Sequence, residues 1–137
     1  MTSKRGIITA FCLLFLLLPV IVAGVDLTGT WESHYQFGPV EEVMTSTIQQ
    51  IGDNILGSFL VKPFVGPERS GIIFGTVEGD RAKVSLLSVR DSGKSDLLVT
   101  ITFIDGRIVD GNTLKGTYYV RDNEGTALSG SYEATRK

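Results

Sequence analysis

The chain of 137 residues offers few side chains that could carry out catalysis. His34 is its only histidine and Cys12 its only cysteine, so no histidine-based metal cluster or catalytic relay can be assembled. The alternation of polar and apolar residues predicts that His34 lies on the outer face of a strand, together with Thr30 and Glu32. We therefore expect no enzyme activity, no bound metal and no cofactor.

Two other patterns superficially resemble ligand sites. Residues 92–95 contain a Gly-Lys-Ser sequence, but the first glycine of a phosphate-binding loop would fall at Ser88, and no helical pattern follows. Several acidic residues that could bind calcium stand beside Gly or Asn, which is typical of turns: Asp105, Asp110, Asp122 and Glu124. Glu41 and Glu42 are predicted to lie in a solvated loop, and no coupled carboxylate pair for acid-base catalysis stands out.

A further set of polar residues is predicted to point into the core. The set consists of Ser33, Tyr35, Tyr118 and Tyr132. Buried polar groups need hydrogen-bond partners, so these side chains either bond to one another or face a ligand. Together with Trp31, they are the candidate ligand-binding residues.

A short repeated pattern indicates which elements position these residues. Five stretches share one five-residue pattern: an apolar residue, any residue, a Gly, then Ser or Thr, and finally a large apolar residue. They are residues 27–31, 55–59, 73–77, 114–118 and 128–132. In a strand, residues two apart share a face, so the apolar residue, the Gly and the last residue point the same way. Glycine in an inward row fits strands that bend sharply or cross closely, as in a small closed barrel.

No stretch after residue 25 has a helical period, and short alternating segments separated by turn residues predict eight strands. They are expected at residues 27–36, 43–51, 55–61, 71–78, 81–89, 96–104, 113–121 and 126–135. Short connections predict an all-β, antiparallel, up-and-down meander, and closure into a barrel removes its exposed edges. A flattened two-sheet sandwich is the alternative. On the sixth strand, the residues predicted to point inward are Leu97, Val99, Ile101 and Phe103.

The longest loop is predicted at residues 62–70, where Pro63 and Pro67 exclude a central strand. Phe64 is held between these two prolines. It could cap the mouth of the barrel or contact another protein, and the sequence leaves both open.

The first 24 residues are predicted to be a secretory signal peptide. Lys4 and Arg5 precede an apolar run at residues 7–22, and small residues at 22–24 fit a cleavage site. The alternative is an uncleaved membrane anchor formed by residues 7–25. Either way, the domain at residues 25–137 is expected to be exported, as a secreted, periplasmic or cell-envelope protein.

Charge narrows the choice of partners for residues 25–137. Without Lys4 and Arg5, eleven of the 13 basic residues remain against 15 acidic ones, a net charge of about −4. A mildly acidic surface argues against nucleic acid as a partner. It also argues against anionic membranes, so any membrane contact is expected only through the N-terminal segment.

The opening strand, followed by an eight-stranded meander, resembles the calycin superfamily, which includes lipocalins, fatty-acid-binding proteins and avidin-like barrels. In these families a Gly-x-Trp on the first strand closes one end of the barrel, and a basic side chain from the last strand lies across the indole. Gly29 and Trp31 match the first part of this signature. The resemblance implies that Arg136 supplies the basic side chain, with Lys137 or Arg121 as alternatives.

The chain departs from these families at the positions that bind their ligands. Avidins have an Asn two residues after this Trp and a Ser six residues after it, where this chain has Ser33 and Phe37. Trp31 is the only Trp, so biotin binding is not expected. The Thr-Asp-Tyr motif of lipocalins is also absent.

These observations together predict an exported, non-catalytic binding protein. The barrel interior is expected to hold a small, mostly apolar ligand that the inward polar residues orient. The alternative is a protein-protein module that works through its loops, such as an envelope inhibitor of a protease or of lysozyme.

Overall fold

The computed structural model describes residues 24–94 and 96–137. Residues 1–23, which make up nearly all of the predicted signal segment, lie outside this part, as does Ser95. Among the described residues, no helix has the length and apolar character that crossing a membrane requires.

The described chain forms a closed barrel of eight antiparallel strands. In chain order they are β1 (Gly29–Phe37), β2 (Val40–Ile51), β3 (Asn54–Lys62), β4 (Arg69–Glu78), β5 (Arg81–Asp91), β6 (Leu97–Asp110), β7 (Thr113–Asp122) and β8 (Ala127–Arg136). Each strand pairs with its predecessor, and β8 pairs with β1. The structure thus confirms the predicted up-and-down barrel and rules out the sandwich.

The two strands that differ most from the predicted bounds are β6 and β2, and both extend further than the sequence predicted. β6 continues through Asp105 and Gly106, where a break was expected, because Gly106 pairs with Ala82 on one side and Gly116 on the other. β2 begins directly after a tight turn at Gly38 and Pro39. Glu41 and Glu42 therefore lie in a strand, and the prediction of a solvated loop at these residues was wrong.

The prediction for the inward face of β6 was also wrong. Leu97, Val99 and Phe103 are exposed, whereas Leu98 is buried and Ile104 packs against the core. The strand carries Leu, Val, Ile and Phe at odd positions and Leu, Thr and Ile at even ones. Because both faces are largely apolar, hydrophobic alternation did not define which face points inward.

Glycines of the repeated pattern lie where neighbouring strands come into close contact. A Cβ atom at Gly75 would lie 2.8 Å from the Val84 Cα and would overlap the carbonyl oxygen of Lys83. A Cβ at Gly116 would overlap the carbonyl oxygen of Asp105 in the same way. The inward glycines therefore allow the strands to coil tightly enough to close the barrel.

One end of the barrel is closed by Trp31, which is buried together with Leu27 and Ile55. The indole Nε1 donates to the carbonyl of Leu27 at 2.9 Å. The Arg136 guanidinium lies over the indole, with its Cζ 4.6 Å from the ring centroid, a position that gives a favourable cation-π contact.

The same guanidinium also joins three separate segments of the chain. It donates to the carbonyl of Thr28, to that of Asp26 at 2.7 Å and to that of Gly111 at 2.9 Å. The segment before β1, the turn between β6 and β7, and the end of β8 are thereby fixed to one another at the closed end.

Gly75→Ala is expected to lower the free energy of unfolding by about 2–3 kcal/mol, because the added methyl group meets backbone rather than a movable side chain. Gly111→Ala is the matched control, since no atom lies within 4 Å of a Cβ at this position. It should change stability by no more than about 0.5 kcal/mol. Urea unfolding measures both values, and equal effects of the two substitutions would contradict the close approach at Gly75.

Candidate functional site

A cavity of about 300 Å³ occupies the barrel interior beyond the closed end. This volume corresponds to about ten water molecules at ~30 Å³ each. Phe37, Arg69, Arg90 and Glu124 border the cavity, and all four lie near the connections at the end opposite Trp31. The cavity therefore opens at that end, which we call the mouth.

The wall of the cavity is mainly apolar, with hydroxyl groups on one side. Apolar side chains from five strands line it, namely Met44, Phe59, Val61, Leu86, Leu98, Ile104 and Val120. Ser88, Thr100 and Thr102 add hydroxyl groups from β5 and β6. Such a lining suits a ligand that is mostly apolar and makes few polar contacts.

Four of the five candidate ligand-binding residues predicted from sequence line this cavity. They are Ser33, Tyr35, Tyr118 and Tyr132. The fifth, Trp31, is not among the lining residues and forms part of the closed end instead. The structure therefore brings the three tyrosines and the serine together in one cavity, whereas Trp31 lies at the closed end of the barrel and does not line the cavity.

Tyr132 lies across two glycines of neighbouring strands. Its partner in β7 is Gly116, which in turn pairs with Gly106 of β6. A Cβ atom on Gly106 would overlap the Tyr132 hydroxyl, so the ring uses the space that the missing side chains leave. Burial, and after it the negative charge of Asp105, raise the pKa of Tyr132. The phenol is therefore protonated at neutral pH.

Tyr118 connects the cavity wall to the first hairpin. Its hydroxyl donates to the carbonyl of Gln36 in β1. Its ring packs edge-on against Tyr35, with centroids 5.7 Å apart and planes at 72°, a favoured aromatic geometry. Burial, and after it the charge of Glu42, raise the pKa of Tyr118.

A polar cluster at the mouth was missed by the sequence analysis. It consists of Tyr35, Glu42 and Arg69, and we call it the mouth cluster. Tyr35 Oη donates to Glu42 Oε2 at 2.8 Å, and Arg69 Nη2 donates to the same oxygen. The Arg69 guanidinium also lies over the Phe37 ring, with its Cζ 5.1 Å from the centroid.

Burial differs sharply within the mouth cluster. Glu42 is only 5% exposed, whereas the Arg69 side chain is 28% exposed. A buried carboxylate is costly unless it is paired and hydrogen-bonded, and Arg69 and Tyr35 meet both requirements. Burial, and after it the hydrogen bond and charge of Glu42, raise the pKa of Tyr35, so this phenol remains a hydrogen-bond donor.

One signal in the sequence could have indicated the burial of Glu42. With Met44, Ser46 and Ile48 it forms an alternating series whose members are all buried in β2. The nearby Gly38-Pro39 turn favoured a loop instead. Arg69 gave no local signal, because its partner lies 27 residues away.

The described residues hold no cluster of three His, Cys, Asp or Glu side chains suited to a metal ion. His34 lies on the outer surface beside Glu32 and Glu41, at 3.2 and 3.4 Å. Asp122 borders the cavity, but its carboxylate accepts from the backbone of Glu124 and Thr126 within a turn. The side chains that line the cavity offer apolar contacts, hydroxyl groups and, at the mouth, the charges of Arg69, Arg90 and Glu124.

Comparisons of the chain with protein-family models, with curated proteins and with solved structures found no match.

Glu42→Gln is expected to lower the free energy of unfolding by about 2–3 kcal/mol. This is less than for a fully buried pair, because Arg69 remains partly solvated. The neighbouring Glu41→Gln is the matched control and should change stability by no more than about 0.5 kcal/mol, since the Glu41 side chain is exposed. Urea unfolding measures the free energy of unfolding of both variants and of the wild type.

A double-mutant cycle tests the pairing within the mouth cluster directly. If Glu42 and Arg69 stabilise each other, Glu42→Gln combined with Arg69→Met should destabilise by less than the sum of the two single changes. Strictly additive effects would show that the two side chains act independently.

Proposed function

We propose that the protein is an exported, non-catalytic binding protein that holds one small, mostly apolar ligand inside its barrel. The observation that carries this proposal is the 300 Å³ cavity, which is open at one end and has a mainly apolar wall. Ligand pockets in proteins begin at about this volume, and an eight-stranded barrel has room for one small ligand.

The distribution of polar groups supports a ligand with an apolar body and one polar end. The mouth cluster lies near the opening, whereas Ser33 is only two residues from Trp31 along β1, and apolar side chains such as Leu86 and Ile104 line the rest of the cavity. Arg69 has five N–H donors, and its bond to Glu42 leaves others for a ligand. The hydroxyl of Tyr35 donates to Glu42 and can still accept a hydrogen bond. The polar end would thus be held at the mouth.

Kinship with the calycins is part of the proposal. The eight-stranded antiparallel barrel is compatible with it. The contact of Arg136 with the Trp31 ring, next to Gly29 at the start of β1, matches the signature that the resemblance implies. We propose on this basis that the protein is a small lipocalin-like or avidin-like carrier.

Thr102→Phe should block the cavity, because residue 102 points into it and a benzyl group would fill part of its small volume. N-phenyl-1-naphthylamine, a neutral fluorescent probe, is expected to bind the wild type and to bind Thr102→Phe at least tenfold more weakly, a loss of about 1.4 kcal/mol. Thr117→Phe is the matched control, since Thr117 is exposed on the outer face of β7. Fluorescence titration measures all three.

Equal binding of the probe by both phenylalanine variants would place it on the outer surface and contradict the proposal. Native mass spectrometry of protein purified without denaturation provides the second measurement. A discrete added mass that Thr102→Phe removes and Thr117→Phe keeps would identify the natural ligand.

The loop at residues 63–68 favours a second candidate function, a loop-mediated inhibitor of an exported protease or lysozyme. Phe64 is 94% exposed at its tip, and Val65 beside it is also exposed. Pro63 and Pro67 flank both residues and restrict the backbone. A large apolar side chain held in solvent on a restricted loop is typical of an anchor for a protein partner.

If this second function is correct, Phe64→Ser should abolish inhibition of a purified lysozyme or serine protease, since it removes the anchor. Thr102→Phe, which alters only the interior, should leave inhibition intact. Enzyme assays measure the inhibition by the wild type and by both variants. A wild-type protein that inhibits neither class of enzyme would count against this function.

A further inference from the structure

The outer surface of the barrel has an apolar part on β3 to β6. Leu56, Phe74 and Phe103 point outward in one row, in which Ser85 stands between the two phenylalanines. Ile72, Leu87 and Ile101 form the adjacent row, paired side by side across β4, β5 and β6. We call the surface of these six apolar residues the outer apolar face.

No charged residue interrupts the two rows of this face on β3 to β6, where the remaining outward residues are Ser58 and Ser85. Ile72 is 56% exposed and Phe103 48% exposed. The outer sides of β1 and β8 differ, since they carry Glu32, His34 and Glu133. In an antiparallel sheet, the solvent side of a strand is normally polar, so an apolar outer side indicates a surface that is covered.

The outer apolar face has the size of an interface core. A third row continues it with the paired residues Val89 and Val99. Four strands ~4.8 Å apart and three rows ~7 Å apart give roughly 400 Å². This is within the range of the largest apolar patches on monomers, which are often functional. It is about half of the ~800 Å² that each partner buries in a standard interface, and a polar rim usually supplies the remainder.

We propose that the outer apolar face binds a second copy of this chain in a twofold dimer. A twofold interface places the same surface on both sides, and an uncharged apolar surface complements itself without bringing like charges together. The next row toward the closed end has both signs of charge, because Lys83 is paired with Asp105 in register. Arg81, one row further along β5, bonds to Asp105 at 2.9 Å. Such a rim can form reciprocal ion pairs across the axis.

Charge argues for a second copy rather than a lipid bilayer. Membrane-binding surfaces typically surround apolar residues with an excess of Lys and Arg. Here Arg81 is paired with Asp105 at 2.9 Å and Arg107 lies near Asp80 at 3.5 Å, so Arg121, beside Ile101 on β7, adds one cation rather than an excess. The face lies on the side of the barrel and the mouth at its end, so a dimer leaves the cavity accessible.

Sedimentation equilibrium over a concentration series tests this proposal on protein expressed from the full-length chain and purified without denaturation. The wild type is expected to dimerise. Phe103→Lys and Ile72→Lys are each expected to raise the dimer Kd by about 30-fold or more, as substitutions at interface hot spots do. Thr135→Lys, an exposed outward position on β8 beside Glu32 of β1 and away from the outer apolar face, is the matched control and should leave the Kd unchanged. Circular dichroism establishes that each variant is folded.

Three results would overturn the proposal. In the first, the wild type stays monomeric throughout the concentration series. In the second, both lysine variants dimerise as strongly as the wild type. In the third, the wild type is a monomer that sediments with phosphatidylcholine-phosphatidylglycerol vesicles, and Phe103→Lys abolishes this binding. If the lysine variants do not fold, Ile72→Thr keeps the β-branched shape and must still weaken the dimer, because it removes apolar contact area. An unchanged Kd for Ile72→Thr would then overturn the proposal.

Discussion

The closure of eight strands into one ring is the constraint on which the rest of this structure depends. A ring of this size has room only for its own side chains or for one small ligand. The strands approach closely because Gly75 and Gly116 have no side chain where a neighbouring carbonyl comes near. Tyr118 and Tyr132 then occupy space above glycines. The 300 Å³ cavity is the volume that this packing leaves unfilled.

The two ends of the barrel hold arginine in different ways. At the closed end, Arg136 donates to backbone carbonyls and stacks on Trp31, so carbonyl dipoles and a ring face stabilise its charge. At the mouth, Arg69 neutralises the buried Glu42. The first arrangement closes the barrel and joins the segment before β1 to β8 and to the turn between β6 and β7. The second keeps a charged, hydrogen-bonding group beside an open cavity, where a ligand can reach it.

The barrel could be predicted from sequence because its signals are local. Period-two alternation, turn residues and the repeated glycine pattern each concern a few adjacent residues, and together they imply a closed meander. The mouth cluster could not be predicted in this way. Glu42 stands beside a Gly-Pro turn that resembles a loop, and its partner Arg69 comes from a strand two further along. Only the fold brings them together.

The error on β6 has a physical cause that bears on function. A strand whose two faces are both apolar hides its inward side from sequence analysis, and it is also costly to leave one such face in water. In this barrel Leu98 and Ile104 are covered by the interior, whereas Val99 and Phe103 face out. The wrong prediction for β6 and the exposed apolar surface of this strand thus arise from the same residues. The mouth and the outer apolar face lie on different sides of the barrel, so the proposed ligand and the proposed second chain would not compete for the same surface.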